Sequence, residues 1–146
     1  MMRVLLDTNV VLDFLLDREP FADAAAALWE AGRNGQIENY VSALTPVNVF
    51  YIARKLKGAT EARKIVEGLL AECQVAPIDS GVLQDAMALP FKDFEDAVQH
   101  ASATGGHLDA IVTRDPTDYA KATLPVFSPP ALLTQLSPSR GSDVSG

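Results

Sequence analysis

Asp7 closes the apolar run Val4-Leu5-Leu6 and opens Asp7-Thr8-Asn9-Val10. A short apolar run so near the N-terminus reads as a buried parallel strand. The carboxylate then stands at the strand's C-terminal end, where open α/β sheets place their sites. The pattern returns late in the chain, where Ala110-Ile111-Val112 is followed by Thr113-Arg114-Asp115-Pro116-Thr117-Asp118. Between them, Asp93-Phe94-Glu95-Asp96 opens an amphipathic helix. Three groups of acids, each at an element end, point to one acidic pocket. Adjacent anions repel unless a cation joins them, and oxygen donors select a hard divalent ion, Mg²⁺ or Mn²⁺. A metal in such a pocket lowers the pKa of water and stabilises charge on phosphorus oxygens, which suits in-line hydrolysis of a phosphodiester. No cysteine or histidine cluster supports zinc. His100 follows Asp96 by one turn and could reach the same pocket, although a histidine on a helix face is more often structural. His107 receives no role.

Each acid also has an ordinary explanation. Asp93, three residues before Asp96, matches capping chemistry, because acids satisfy the free N–H groups and the dipole of a helix N-terminus. Asp115 before Pro116 is a common turn residue, and Asp118 could cap a short turn. Asp13, Asp17 and Asp23 read as solvated helix faces or caps. Asp7 resists such a reading, since a carboxylate ending an apolar strand is partly desolvated and needs a partner.

Elements that must position these groups follow from the periodicity. Strands are expected at 3–6, 39–41, 75–78, 109–112 and 126–127. Helices are expected at 10–16, 21–34, 45–57, 60–72, 80–89, 93–104 and 130–136. Ala24–Ala27, Leu28 and Trp29 read as the interior of the second helix. Thr45 reads as the N-cap of the third and Pro46 as its first residue. Val49, Phe50, Ile52, Ala53 and Leu56 stand at helical spacing, and Gly58 breaks that helix. Strands alternating with helices imply a parallel sheet covered on both faces, an α/β/α arrangement. Two consecutive helices in one crossover project beside the sheet's upper edge. Residues 1–136 read as one domain, and the small, polar residues 137–146 as a disordered tail.

Composition limits the function. Of 146 residues, 48% are apolar and 21% charged, as in ordinary soluble domains. No apolar run spans a membrane, and the N-terminus lacks a signal-peptide layout. The single cysteine, Cys73, fits a reducing cytoplasm. A net charge of −7 argues against nucleic-acid binding by bulk electrostatics, yet it leaves room for a nuclease whose metals supply local positive charge.

The residues resemble a known family. Val4 to Asp13, then Val41-Ser42-Ala43-Leu44-Thr45, then Asp93-Phe94-Glu95-Asp96-Ala97, then Ile111 to Tyr119 are similar to PIN-domain nucleases, in particular the toxin ribonucleases of VapBC-type toxin–antitoxin modules. The four segments fall in order over most of residues 3–127. The resemblance implies a three-layer, Rossmann-like α/β/α sandwich and an endoribonuclease dependent on Mg²⁺ or Mn²⁺. It implies Asp7, Asp96 and Asp115 as catalytic metal-site acids, Asp118 as a nearby ligand, and Thr8, Asn9 and Thr113 as supporting residues. It also implies a small antitoxin occupying the helical insertion and the active-site mouth. One position departs from the pattern. Many of these nucleases carry a glutamate early in the helix after strand two, and the matching residue here is Asn48, which brings no charge. One subgroup tolerates asparagine there and keeps an extra acid, a role that Glu95 could fill.

Five basic residues, Arg54, Lys55, Lys57, Arg63 and Lys64, flank the turn of the inserted helical hairpin. They read either as solvated helix faces or as a clamp for RNA phosphates. Arg114, beside Asp115, is a candidate phosphate contact near the scissile bond. The apolar faces of the hairpin offer a surface for a homodimer or an antitoxin. Two other functions compete with a nuclease. One is a PIN-like RNA- or protein-binding module with weak or no turnover, motivated by Asn48. The other is an aspartyl-phosphate enzyme or receiver domain, which also ends strand one in Asp. That reading wants a second Asp where Asn9 stands, and a lysine after the late strand, which is missing.

Overall fold

Both faces of the first strand are apolar, and this dictates two covering layers. In the computed structural model, which describes residues 1–136, β1 spans Met2–Leu6. Val4 and Leu6 pack with residues of α1 (Thr8–Leu15) and α2 (Ala22–Arg33), among them Val10, Val11, Leu28 and Trp29. Leu5 packs on the opposite side with Ala103, Leu108, Ile111 and Tyr119. The alternation is that of a strand, with successive side chains on opposite faces. Fully burying each such side chain contributes roughly 1.5–3 kcal/mol before the entropy of ordering it is subtracted.

The chain continues through β2 (Ile37–Ser42), α3 (Leu44–Lys57), α4 (Ala59–Glu72), β3 (Gln74–Ala76), α5 (Ser80–Ala88) and α6 (Phe94–Gly105). It ends with β4 (Ala110–Val112), a 3₁₀ turn over Pro116–Tyr119, β5 (Val126–Phe127) and α7 over 129–136. Helices α1, α2 and α7 cover one face, with α4 contributing Leu69, while α5 and α6 lie on the other. The result is a three-layer α/β/α sandwich. The sheet is wholly parallel, in the order β3-β2-β1-β4-β5. From β1 the chain steps outward to β2 and β3, then returns to the far side of β1 as β4. The order therefore reverses between β1 and β4, and the crevice beyond their C-terminal ends is where ligands bind in such sheets.

Several local expectations need correction. Thr45 is not an N-cap: α3 starts one residue earlier, after Ala43, and the buried Thr45 hydroxyl hydrogen-bonds that of Thr8 at 2.8 Å. Pro46 is accordingly the third residue of the helix, where its missing N–H still costs no intrahelical bond. In α2, Ala25, Leu28 and Trp29 are buried, but Ala26 and Ala27 face solvent. In α3 only Thr45, Val49 and Ala53 are buried, and Leu56 is exposed. Asp13 is the largest departure. It does not sit on a solvated face but is 1% exposed, with Arg18 at 3.0 Å and Arg114 at 2.9 Å on its two oxygens. Asp93 does cap its helix, accepting from the Asp96 N–H, and Asp79 caps α5 in the same way, accepting from the Val82 N–H. The segment near 75–78 supplies β3 at the sheet edge, where a strand running into Pro77 is tolerated. The tail expected at 137–146 lies outside the described residues. No helix among the described residues is long and apolar enough to cross a membrane.

Candidate active site

Strand β1 ends and α1 begins with no loop between them, and Asp7 serves both. Its backbone N–H donates to the Val112 carbonyl of β4 at 2.9 Å, extending the ladder to the strand's last residue. Its side chain caps α1, Oδ1 accepting from the Thr8 N–H at 2.9 Å. The same Oδ1 accepts from Gln99 Nε2 at 2.7 Å, and Oδ2 accepts from the Thr113 hydroxyl at 3.0 Å. Asp7 is thus a buried carboxylate held by donors from α1, α6 and the end of β4. Burial pushes its pKa up, the three hydrogen bonds pull it down, and the charge of Asp115 adds to the rise.

Asp96 enters from the first turn of α6. Desolvation, reinforced by Asp93, Asp7 and Asp118, lifts its pKa to about 7, while a 3.3 Å hydrogen bond donated by the Tyr119 hydroxyl acts the other way. That a half-buried carboxyl is shifted so far reflects desolvation first and the crowding of like charge second. Asp7, Asp93, Glu95, Asp96 and Asp118 all line one cleft of about 460 Å³. Thr8, Asn9, Leu12, Asn48, Tyr51 and Ile52 complete its wall. The cleft opens at the β1/β4 reversal.

Most of the candidate residues come together here. Asp7, Asp96, Asp118, Glu95, Thr8, Asn9 and Asn48 line the cleft, and Thr113 holds Asp7 from behind. Asp115 does not line it, although its charge reaches Asp7; its N–H donates to the Thr113 hydroxyl at 3.1 Å. Asn48 and Glu95 meet across the mouth, Nδ2 donating to Oε2 at 3.4 Å. Among the described residues no three acids, histidines or cysteines stand close enough to form a ready-made metal cage. Mg²⁺ does not require one, since it commonly binds through one or two carboxylates and keeps several waters. The donor set is all hard oxygen, and a cation would offset both the desolvation and the added repulsion that raise Asp96. The residues present therefore fit a hard divalent ion.

Two of the residues considered stand away from the cleft, and for His100 that is the structural role a helix-face histidine usually has. Arg114 does not line the cleft: its Nε lies 2.9 Å from Asp13 Oδ2, and its guanidinium stacks 4.0 Å from the Phe21 ring. An ion pair inside the fold has taken it. His100 does not reach the cleft; it packs on Phe91, and its Nε2 accepts from the Thr123 N–H at 3.0 Å. Arg54, Lys55 and Lys57 are exposed at the end of α3, as are Arg63 and Lys64 in α4, and among the described residues none of the five forms an ion pair. Sequence reasoning missed Gln99 and Tyr119. Gln99 lies three residues after Asp96, on the same helix face, amid apolar neighbours, and that spacing was the available signal.

The model of the family described as PIN domain matches residues 3–117. No curated protein matches the chain. Among solved structures, a toxin–antitoxin complex from Klebsiella pneumoniae is 25% identical, with a TM-score of 0.65, and the match covers 86% of this chain and 97% of that one. DNA-bound VapBC from Salmonella typhimurium is 16% identical, with a TM-score of 0.70 and coverage of 88% and 99%. A sarcin-ricin-loop-cleaving VapC toxin from Mycobacterium tuberculosis is 11% identical, with a TM-score of 0.63 and coverage of 83% and 98%.

Proposed function

Because the chain belongs to the PIN-domain family, we propose that it is a metal-dependent endoribonuclease and the toxin of a toxin–antitoxin pair. The observation that carries this reading is the buried, thrice hydrogen-bonded Asp7 facing Asp96 and Asp118 in one cleft at the sheet's reversal. Asp7 and Asp96 would hold Mg²⁺ or Mn²⁺, with Asp118 and Glu95 close by and Asp115 contributing charge from the next turn. When bound, the ion supplies Lewis-acid stabilisation of charge on the phosphodiester and activates water.

The chain's own residues supply the rest. Thr8, Gln99 and Thr113 fix the Asp7 carboxylate, so that little reorganisation accompanies the reaction. Tyr119 orients Asp96 through its hydroxyl. The amides of Asn9 and Asn48 line the cleft and are neutral donors for phosphate or ribose oxygens. Arg54, Lys55 and Lys57 would hold phosphates further along the strand. The subgroup with asparagine in place of the usual glutamate is supported by the position of Asn48 on the cleft wall, with Glu95 beside it. The antitoxin partner is supported by the Klebsiella toxin–antitoxin complex, of which one chain shares this fold.

The test is cleavage of a pooled RNA with Mg²⁺ or Mn²⁺ against EDTA, with Asp7→Asn as the inactive control. Cleavage surviving in EDTA or in Asp7→Asn would remove this reading. The uncharged Asn48 favours a second one, an RNA- or protein-binding module with little turnover. That reading predicts RNA retention without cleavage at any metal concentration.

A further inference from the structure

The wall of the cleft opposite the acids is neither acidic nor closed. It belongs to α3, where Asn48, Tyr51 and Ile52 line the cleft at i, i+3 and i+4, the spacing of one helix face. Lys55 follows one turn later on that same face by position. Tyr51 leaves 57% of its surface exposed, a high share for an aromatic residue at the rim of a site. Its ring is nevertheless held. Phe50 meets it edge-on at 5.2 Å and 88°, and the Arg54 guanidinium stands over the ring at 5.3 Å. A guanidinium can occupy one face of a ring, and a ring has two. Positive charge begins at Arg54 and continues through Lys55 and Lys57.

We propose that Tyr51 is a base-stacking platform for an unpaired nucleobase beside the phosphate that enters the acidic cleft. This rests on the nuclease reading and adds to it a residue that reads substrate form. A base paired within a helix keeps its faces stacked on its neighbours and cannot use an exposed ring, whereas an unpaired base can. Arg54 suits both parts of a nucleotide, since it stacks on the ring and can pair with the next phosphate. Stacking tolerates any base, so the platform selects for single-strandedness rather than for sequence. The acids alone repel RNA, so an attractive contact is needed on the opposite wall.

The experiment uses the full chain and a short single-stranded RNA carrying 2-aminopurine, together with the same RNA annealed to its complement. Binding is read by anisotropy and by quenching in Ca²⁺, with the RNA checked for integrity. Tyr51→Ala should weaken single-strand binding by roughly 5- to 150-fold, with Tyr51→Phe and Tyr51→Trp close to wild type. Duplex binding should be weak in all of them. Placing an abasic nucleotide at successive positions should cost wild type at one position and cost Tyr51→Ala nothing further there. In cleavage, Tyr51→Ala should raise KM more than it lowers kcat. Equal binding by Tyr51→Ala, or a loss that no abasic position reproduces, overturns the platform. So does a change of sedimentation in Tyr51→Ala with RNA binding intact, which would assign the ring to a contact between copies. If wild type binds no RNA at all, the nuclease reading fails with it. If wild type cleaves but ignores Tyr51 and strandedness, only the platform fails.

Discussion

Asn48 donates to Glu95 across the cleft mouth, joining the second turn of α3 to the first turn of α6 at 3.4 Å. The residue that brings no charge is thus held against one that does. Replacing Asn48 with glutamate would set two carboxylates side by side. Without metal they repel, and with metal they offer one more hard anionic ligand. Asn48→Glu should therefore tighten Mn²⁺ binding about tenfold, ~1.4 kcal/mol, and lower the melting temperature of the metal-free protein. Glu95→Gln should weaken Mn²⁺ binding. Calorimetric titration of both variants decides the matter, and unchanged affinity in both places this pair outside the metal's reach.

Asp96 makes stability depend on pH. Its carboxyl titrates near 7 in the fold, against about 3.9 in an unfolded chain. Between those values the native state keeps a proton that the unfolded chain has released, so stability falls as pH rises from about 4 to about 7. Thermal melts without metal should show a midpoint dropping over that window and levelling above it. Asp96→Asn should flatten the profile and melt higher than wild type at pH 8. Saturating Mg²⁺ should remove the drop in wild type by binding only the folded state. A wild-type profile as flat as that of the variant would show that the carboxyl is not crowded.

Gln99 offers a separation of stability from function. Its Nε2 is bound to Asp7, while its Oε1 is buried without a donor. An unsatisfied buried carbonyl costs about 1–3 kcal/mol, which offsets what the 2.7 Å bond contributes. Gln99→Met, of similar length, should hold the melting temperature within about 4 °C of wild type. Its metal affinity should fall about 10- to 100-fold, because the carboxylate loses an orienting donor. Loss of the fold in this variant, or full retention of affinity, would contradict the assignment.

Asp13 should matter to stability first. Asp13→Ala leaves Arg18 and Arg114 without their shared anion inside the fold. The cost should be about 3 kcal/mol, at the low end for a broken buried pair because both guanidinium groups retain some exposure. Urea unfolding measures it. Arg114 is flanked by Thr113 and Asp115, so cleavage should decline as well, whereas Arg18→Ala should cost less in both assays. A loss below about 0.5 kcal/mol would mean that solvent already carries these charges.

Much of this was readable in advance, for physical reasons that can be traced residue by residue. Val4-Leu5-Leu6 and Ala110-Ile111-Val112 are apolar on both faces, which only a doubly covered strand requires, and so the sheet and the place of Asp7 follow. Asp93 showed its cap through spacing alone. Asp13 was misread, and its pairing with Arg114 went unseen, because a one-dimensional pattern does not reveal that two charges lie on converging elements. Thr45 was misread for a related reason. Its threonine-proline signature fits a cap, and the tertiary bond to Thr8 overrode it. Gln99 escaped notice since glutamine is ordinarily a solvent-facing residue, and only the buried Asp7 gives it a partner.

That hydroxyl pair, Thr8 with Thr45, has a consequence for how the molecule can change. Thr8 lies beside Asp7, and Thr45 lies one turn before Asn48 and two before Ile52. A single 2.8 Å bond thereby pins the helix that forms the cleft's outer wall to the strand end that carries the acid. The outward residues of that helix are free to vary once the pin is kept, because none of them supports the sheet. On the proposed reading, target choice and hydrolytic competence can be inherited separately: a new substrate preference would arise on α3 by point substitution, with the acidic wall and the hydrogen bonds of Asp7 left as they are.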